Sequence, residues 1–375
     1  MIGKASREAP ADAVLREVLR GQRDLSRDQG ALVSRMVFAY YRWLGWLKQD
    51  GGLRNEIYNA LDLAERFAKR PQSFSDDDLT RRAVPAWLNN EMEVTPDWAR
   101  ALQYEPRLWL RARQGQGRAL AAMLGDTCSF GKGLCADILE YRGTQDLFRT
   151  REFQAGKFEL QDISSQAVGL VCGPKAGETW WDACAGEGGK ALHLSDMMDN
   201  RGIIWATDRA AWRLQVLKRR AARARVFNYR TALWNGSQKL PTKTRFDGVL
   251  VDAPCSGTGT WGRNPHARWT TTPQNVRELS EVQKRLLTNA SAAVKAGGKL
   301  VYAVCSLTNA ETVAVVESFD ARFTEFERLE LPNPLEARSR AAAALWIEPQ
   351  QFGGNGMFIA AWKKKADRKI PDPRD

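Results

Sequence analysis

Apolar residues recur three and four positions apart from residue 10 to about 72, through AVLREVLRGQ and ALVSRMVFAYYRWLGWLK, and this spacing predicts amphipathic helices. Gly51 and Gly52 interrupt the pattern and EIYNALDLAERFAK resumes it, so the region reads as an all-helical module. Its aromatic residues Phe38, Tyr40, Tyr41, Trp43 and Trp46 fit a core better than a platform for stacking bases. PQSFSDDD, residues 71–78, is polar, carries a proline and reads as a linker. Residues 84 to about 155 are mixed: RLWLRARQ predicts a short strand with Arg107, Arg111 and Arg113 alongside, and RQGQGRALAAML a helix. From about 156 onward, strand-like runs (ETWWDAC, GIIWAT, FDGVLVDA, KLVYAVC) alternate with helical stretches. In one of these, Val276, Leu279, Val282, Leu286, Leu287 and Val294 recur at helical spacing. Alternation of this kind predicts an α/β unit whose mostly parallel sheet is covered on both faces, with ligands at the carboxyl ends of the strands.

Composition narrows the partner. Hydrophobic residues make up 43% of the 375, enough for real cores, and the length suits two or three domains. The 56 Lys and Arg against 44 Asp and Glu leave a net charge of +12, which suits a polyanion such as RNA because neutralised phosphates release counterions. No apolar run is long enough to span a bilayer and Met1–Pro10 lacks a signal-peptide core, so a cytoplasmic protein that does not engage membranes is expected. Cys128, Cys135, Cys172, Cys184, Cys255 and Cys305 are scattered without a C-x-x-C pair, which argues against a zinc knuckle or a disulfide framework. With only His193 and His266, a Ser-His-Asp hydrolase or a multi-histidine metal centre is disfavoured, and no metal is expected.

After the first of the later strands comes Asp182-Ala183-Cys184-Ala185-Gly186-Glu187-Gly188-Gly189-Lys190. Its glycines let the backbone turn sharply and approach a ligand, and a helix beginning at Lys190 would point amide groups at the pocket. The strand IIWAT ends in Asp208, placed to accept hydrogen bonds from ribose hydroxyls. A glycine pattern of this kind also fits a dinucleotide enzyme. Glu187 would repel a pyrophosphate, whereas the sulfonium cation of S-adenosylmethionine tolerates it.

The strand DGVLVD ends in Asp252-Ala253-Pro254-Cys255, and KLVYAVC ends in Cys305. Both cysteines fall at the carboxyl ends of adjacent predicted strands. Carbon 5 of cytosine is a poor nucleophile, and adding a thiolate to carbon 6 turns the ring into an enamine that attacks a methyl sulfonium. Such chemistry needs a thiolate, a donor at ring nitrogen 3 and a base for the carbon-5 proton. A free thiol has a pKa of about 8.5, so the site must favour the anion, and Lys190 or a helix N-terminus would serve. Either cysteine alone is more ordinarily a packed thiol, and Asp252 alone a helix cap. Together, beside a cofactor-type loop, they point to chemistry, without saying which cysteine attacks. Cys128, Cys135 and Cys172 have no such context and read as structural, and His266 reads as a surface or loop residue.

DACAGEGGK, ATDR, DAPCSGTG, RNPHARW and VYAVCSL resemble, in order and spacing, the motifs of the RsmB/NOP (Sun) family of RNA cytosine-5 methyltransferases. FELQDISSQA is similar to that family's entry segment and NGMFIAAW to its last strand, so the resemblance covers residues 155–363. It implies a Rossmann-like S-adenosylmethionine-dependent methyltransferase domain with a mostly parallel seven-stranded sheet at 156–365. Before it would stand a NusB-like RNA-binding helical domain at 1–72 and a small α/β, RRM-like module at 73–155, and after it a basic tail at 366–375. The bacterial small-subunit ribosomal RNA member is the nearest type, which implies a monomer acting on 16S ribosomal RNA. Cys305 matches the family's nucleophile, Cys255 the cysteine that helps release the product, Asp252 the group at ring nitrogen 3, and Lys190 a lysine beside the target base. Cys184, Ala185, Gly186, Glu187, Gly188, Gly189 and Lys190, with Asp208, Arg213, Asn235 and Asp252, match positions around the cofactor.

Four positions depart from the pattern. Glu187 stands where Pro is usual, Asn235 where Asp is usual, Val304 where Thr is common, and His266 replaces an acid. The departures at Glu187 and Asn235 motivate an alternative, a catalytically impaired RNA-binding factor of ribosome assembly. Transfer RNA or DNA as the methylated substrate are further alternatives.

Overall fold

The helical periodicity of the amino-terminal region becomes α1 (Ala11–Gly21), α2 (Arg27–Trp43) and α3 (Gly52–Lys69) in a computed structural model that describes residues 2–22, 24–48 and 51–366. The expected basic tail lies outside the described residues from 367 onward. Ser26 and Gln29 start α2 with a reciprocal capping box. Tyr40, Tyr41 and Trp43 are buried, and Trp43 packs 5.4 Å from Phe67 and 5.1 Å from Phe74 between ring centroids. These aromatics are therefore core.

PQSFSDDD is not a linker. Phe74 is buried in the same core, and the Ser75 hydroxyl accepts the Asp78 N–H to begin α4 (Asp76–Arg82). The three aspartates that made the segment look solvated occupy the first turn of α4, where they complement the helix dipole. A short α5 (Pro96–Ala101) follows.

Next come β1 (Leu108–Ala112), α6 (Gly117–Leu124), β2 (Thr127–Ser129), β3 (Ile138–Tyr141), α7 (Arg151–Gln154) and β4 (Phe158–Leu160). The strands form an antiparallel sheet in the order β2-β3-β1-β4. Leu160 pairs with Leu110, so residues expected to open the methyltransferase module complete the small sheet instead. That pairing joins segments about fifty residues apart and leaves no local trace.

The remaining elements are α8 (Ile163–Cys172), β5 (Thr179–Asp182), α9 (Gly189–Met197), β6 (Ile203–Asp208), α10 (Ala211–Arg223), β7 (Tyr229–Leu233), β8 (Phe246–Asp252), α11 (Pro265–Thr270), α12 (Pro273–Ser291), β9 (Val294–Val304), α13 (Val313–Arg322), β10 (Phe326–Arg328), β11 (Leu345–Ile347), α14 (Pro349–Phe352) and β12 (Met357–Lys364). Seven strands run in the order β10-β12-β9-β8-β5-β6-β7, with β11 beside β12. The strands from β9 to β7 are parallel, and β12 runs antiparallel to β9. Because strand side chains alternate, Trp180 enters one core layer and Trp181 the other, so both faces are covered. No helix among the described residues is long and apolar enough to cross a membrane.

The amino-terminal helices are fastened to the large sheet through α11. Arg268 is fully buried with no acidic partner among the described residues, and its guanidinium donates to the carbonyls of Arg42 (3.3 Å), Ala83 (2.8 Å) and Leu102 (3.1 Å). Burial, helped by nearby Arg42, pushes its pKa down to about 9. His266 is not the surface residue expected. It is buried, its ring meets Tyr41 edge-on at 4.7 Å, and burial lowers its pKa. Arg268→Leu strands these carbonyls without donors and is expected to cost about 3 kcal/mol of stability, read as a lower urea midpoint. An unchanged midpoint would remove Arg268 from this role.

Candidate active site

Four strand ends build the site. β5 runs into the loop after Asp182, where Gly186 and Gly188 take φ values of +54° and +90°. A Cβ at Gly188 would also lie 2.6 Å from Leu217 Cγ, so glycine is required there twice over. The helix then starts at Gly189, one residue before the expected position. At the end of β6, Asp208 accepts the Gly186 N–H (3.1 Å) and the Ala210 N–H (2.8 Å), tying the loop to the next strand.

β8 and β9 are parallel neighbours, with Asp252 in register with Ala303. Their ends therefore bring Cys255 and Cys305 together, with sulfurs 3.3 Å apart. Lys190 crosses from α9 and places Nζ 2.7 Å from Asp252 Oδ2. Burial by itself depresses the lysine's pKa, but the charge and hydrogen bond of Asp252, with help from Cys305 and Asp182, raise it overall, so Lys190 is a cation. The Cys255 thiol is pushed far up by its hydrogen bond to Cys305, by burial and by Glu311. Cys184 is likewise pushed up by burial and by Asp182, Asp252 and Asp208, which leaves it a neutral packing thiol.

Asp182 is fully buried, and among the described residues neither carboxylate oxygen has a hydrogen-bond partner. Burial first, then the charge of Asp252, raise its pKa to about 8. A buried, unpaired carboxylate of this kind is costly unless a cation arrives beside it.

Sequence reasoning missed the group that holds the two cysteine loops together. Glu311 is fully buried and accepts the Ser256 N–H (2.8 Å), the Ser256 hydroxyl, the Ser306 hydroxyl (2.6 Å), the Thr308 hydroxyl (2.9 Å) and the Gln283 amide (2.9 Å). Ser256 follows Cys255 and Ser306 follows Cys305, so one carboxylate sets both loops. The Gln283 amide also donates to the Pro254 carbonyl (3.0 Å), and Tyr302 donates to the Glu311 carbonyl (2.6 Å). The one visible signal was a lone acid in the otherwise uncharged run TNAETVAVV.

Other expected site residues are not drawn in. Arg213 is exposed on α10 with its guanidinium 5.4 Å from the Trp212 ring. Asn235 is exposed and its Oδ1 accepts the Ser237 N–H. Glu187 is exposed, and its carbonyl accepts from Arg220 (3.1 Å). Val304 is core. Cys172 is buried, but Cys128 is exposed and so does not pack as expected. A cleft of about 510 Å³ opens beside Gly259, lined by Arg100, Tyr104, Arg107 and Arg263. The Gly259 N–H donates to the Cys305 carbonyl (3.0 Å), so the cleft floor is bonded to the cysteine strand.

Residues 170–363 match the family model of the 16S rRNA methyltransferase RsmB/F. A probable ribosomal RNA small subunit methyltransferase B of Bacillus subtilis is 31% identical over 309 residues, covering 76% of this chain and 67% of that protein. A mouse 28S rRNA (cytosine-C(5))-methyltransferase is 30% identical over 65% of this chain and 32% of its own length. Among solved structures, NSun6 from Pyrococcus horikoshii with SFG, an S-adenosylmethionine analogue, superposes with a TM-score of 0.53 at 26% identity, covering 60% of this chain and 57% of that one. The chain spans between 49% and 67% of the length of four bacterial methyltransferase B proteins that it matches.

Proposed function

Because the chain belongs to the 16S rRNA methyltransferase RsmB/F family, we propose that it methylates carbon 5 of a cytosine in ribosomal RNA, with S-adenosylmethionine as donor and Cys305 as nucleophile. The observation that carries this reading is the pair of sulfurs 3.3 Å apart at neighbouring strand ends, next to the Lys190–Asp252 pair.

The residues present fit the cofactor. Asp182 offers unpartnered buried oxygens to a cationic group, Asp208 stands at the end of β6, and Gly186 and Gly189 have open space where a Cβ would project. The loop Cys184–Lys190 with Asp182 and Asp208 would hold it, and family resemblance adds Arg213 and Asn235. When bound, S-adenosylmethionine supplies the electrophilic methyl that carbon 5 takes.

The chain's own residues do the rest. The Cys305 thiolate forms a bond to carbon 6 and its electron pair makes carbon 5 nucleophilic, while Lys190 favours the thiolate electrostatically. Asp252, oriented by Lys190, engages ring nitrogen 3. After methylation, a base removes the carbon-5 proton, the C5–C6 double bond re-forms, and the Cys305 sulfur leaves as thiolate with the assistance of Cys255. A Cys255 thiol held neutral suits a helper in release rather than a competing nucleophile. Glu187 is exposed and the loop is tied to Asp208 through the Gly186 N–H, which favours an active enzyme over an impaired assembly factor.

The test is transfer of labelled methyl to 16S ribosomal RNA, transfer RNA and DNA. Label recovered as 5-methylcytosine in 16S ribosomal RNA is expected, and label confined to DNA or transfer RNA overturns the assignment.

Asp182→Asn is expected to weaken S-adenosylmethionine binding and to stabilise the ligand-free protein at alkaline pH. The folded carboxyl titrates near 8 rather than 3.8, so the folded state prefers the neutral acid. That advantage is full at low pH and is lost as the pH rises through the folded value. The variant's melting temperature should therefore exceed the parent's at about pH 9 and not at about pH 4. A difference independent of pH counts against it.

A further inference from the structure

The positive charge of this protein is concentrated on one edge of the large sheet. Between Asp208 and Asp247 the chain carries eleven basic residues and no acidic one, against a net charge of +12 for the whole. The stretch covers α10, β7 and the loop to β8, and β7 is the last strand of the sheet. Arg220 and Arg223 are spent on Glu159, a buried acid on β4. The other nine, Arg209 through Arg245, are exposed and form no ion pair among the described residues, although twenty ion pairs form there in all.

Local structure arranges these charges around the edge. Leu214, Leu217 and Ala221 bury one face of α10, which leaves Arg213, Lys218 and Arg219 exposed along a helix about 20 Å long. On β7, Tyr229 packs into the layer beneath α10, while Arg230 lies 5.8 Å from the Trp205 ring in the opposite layer. Positive charge therefore wraps both faces of the edge. Trp212 (59% exposed), Phe227 (75%) and Leu233 (60%) are interleaved with it.

A single-sign rim of this kind weakens the compact state by self-repulsion and attracts polyanions. We infer that the α10–β7 edge is a second RNA-binding surface, which holds the sugar-phosphate backbone of a structured segment away from the target cytosine. The inference rests on the RNA substrate proposed above. Exposed guanidinium and ammonium groups without an ion pair among the described residues suit phosphates, and exposed aromatics among them suit an unstacked base at the margin of a duplex.

The experiment is binding of unmethylated 16S ribosomal RNA transcript to the full chain over a range of salt, for the parent and for Lys218→Ala/Arg219→Ala/Arg230→Ala. None of these residues belongs to the catalytic or cofactor machinery. The triple variant is expected to bind at least about tenfold more weakly and to lose about 2–3 from the slope of log affinity against log salt. S-adenosylmethionine affinity and turnover at saturating RNA stay at parental values. An unchanged affinity and slope overturn the proposal. So does an equal loss in Arg277→Ala/Lys284→Ala/Arg322→Ala, which removes the same charge from another face. Parental protein that binds phosphatidylglycerol vesicles through these residues, with RNA binding unaffected, assigns the edge to a membrane and also overturns it. If no substrate is methylated but the salt slope still depends on this edge, the catalytic reading fails while the surface stands.

Discussion

Cys305→Ala is expected to lower methyl transfer to ribosomal RNA by at least about ten-thousand-fold, while S-adenosylmethionine affinity stays within a few-fold of the parent. Without the sulfur there is no addition to carbon 6 and no enamine at carbon 5, and the remaining groups cannot substitute. Cys184 lies in the glycine loop, and burial beside three carboxylates holds it as a neutral thiol. Cys255 lies 3.3 Å from Cys305 but is also held neutral, by its hydrogen bond to Cys305, by burial and by Glu311. Cys255→Ala should behave differently. Attack by Cys305 survives, release fails, and a protein–RNA adduct accumulates that resists denaturing electrophoresis. Robust transfer by Cys305→Ala, or an adduct in Cys305→Ala rather than in Cys255→Ala, would reverse the assigned roles.

Glu311→Ala is expected to be nearly as damaging, although Glu311 acts through its neighbours. It removes the common acceptor of Ser256, Ser306, Thr308 and Gln283, so donors on both cysteine loops lose their partner. Each buried donor left unsatisfied costs about 1–3 kcal/mol, so the variant should melt at lower temperature. Displacing a reacting group by an ångström costs on the order of a hundredfold in rate, and turnover should fall at least that far. Glu311→Gln separates positioning from stability. The amide keeps the shape and one acceptor oxygen but cannot accept from every donor, so most of the stability returns while turnover stays depressed. Cofactor affinity should not change, because no hydrogen bond joins Glu311 to the loop at 184–190 among the described residues. Full activity in Glu311→Gln at restored stability would reduce Glu311 to a structural acid.

Much of the site was legible because parallel α/β architecture turns sequence order into position. A strand followed by a glycine loop, a second strand ending in Asp208, and two more ending near Cys255 and Cys305 must deliver those residues to one rim of the sheet. The helical character of the first seventy residues was equally local, since three- and four-residue spacing is a property of the chain itself. Arg213 and Asn235 rested on resemblance alone, and in the structure both are exposed and neither is bonded to the glycine loop.

What the sequence by itself determined was therefore the order of elements, the strand-end placement of the candidate catalytic groups and the surplus of positive charge. Tertiary structure alone decided that Lys190 meets Asp252, 62 residues away, and that Glu311 locks the loop carrying Ser256, 55 residues away. It alone showed that Arg268 reaches Arg42 across 226 residues, that Phe158–Leu160 closes the small sheet, and that nine basic side chains on one edge form no ion pair among the described residues. The physical reason is common to all of these. A buried hydrogen bond or ion pair is specified by two surfaces brought together by burial of apolar residues elsewhere, so neither partner carries a local pattern that announces the other.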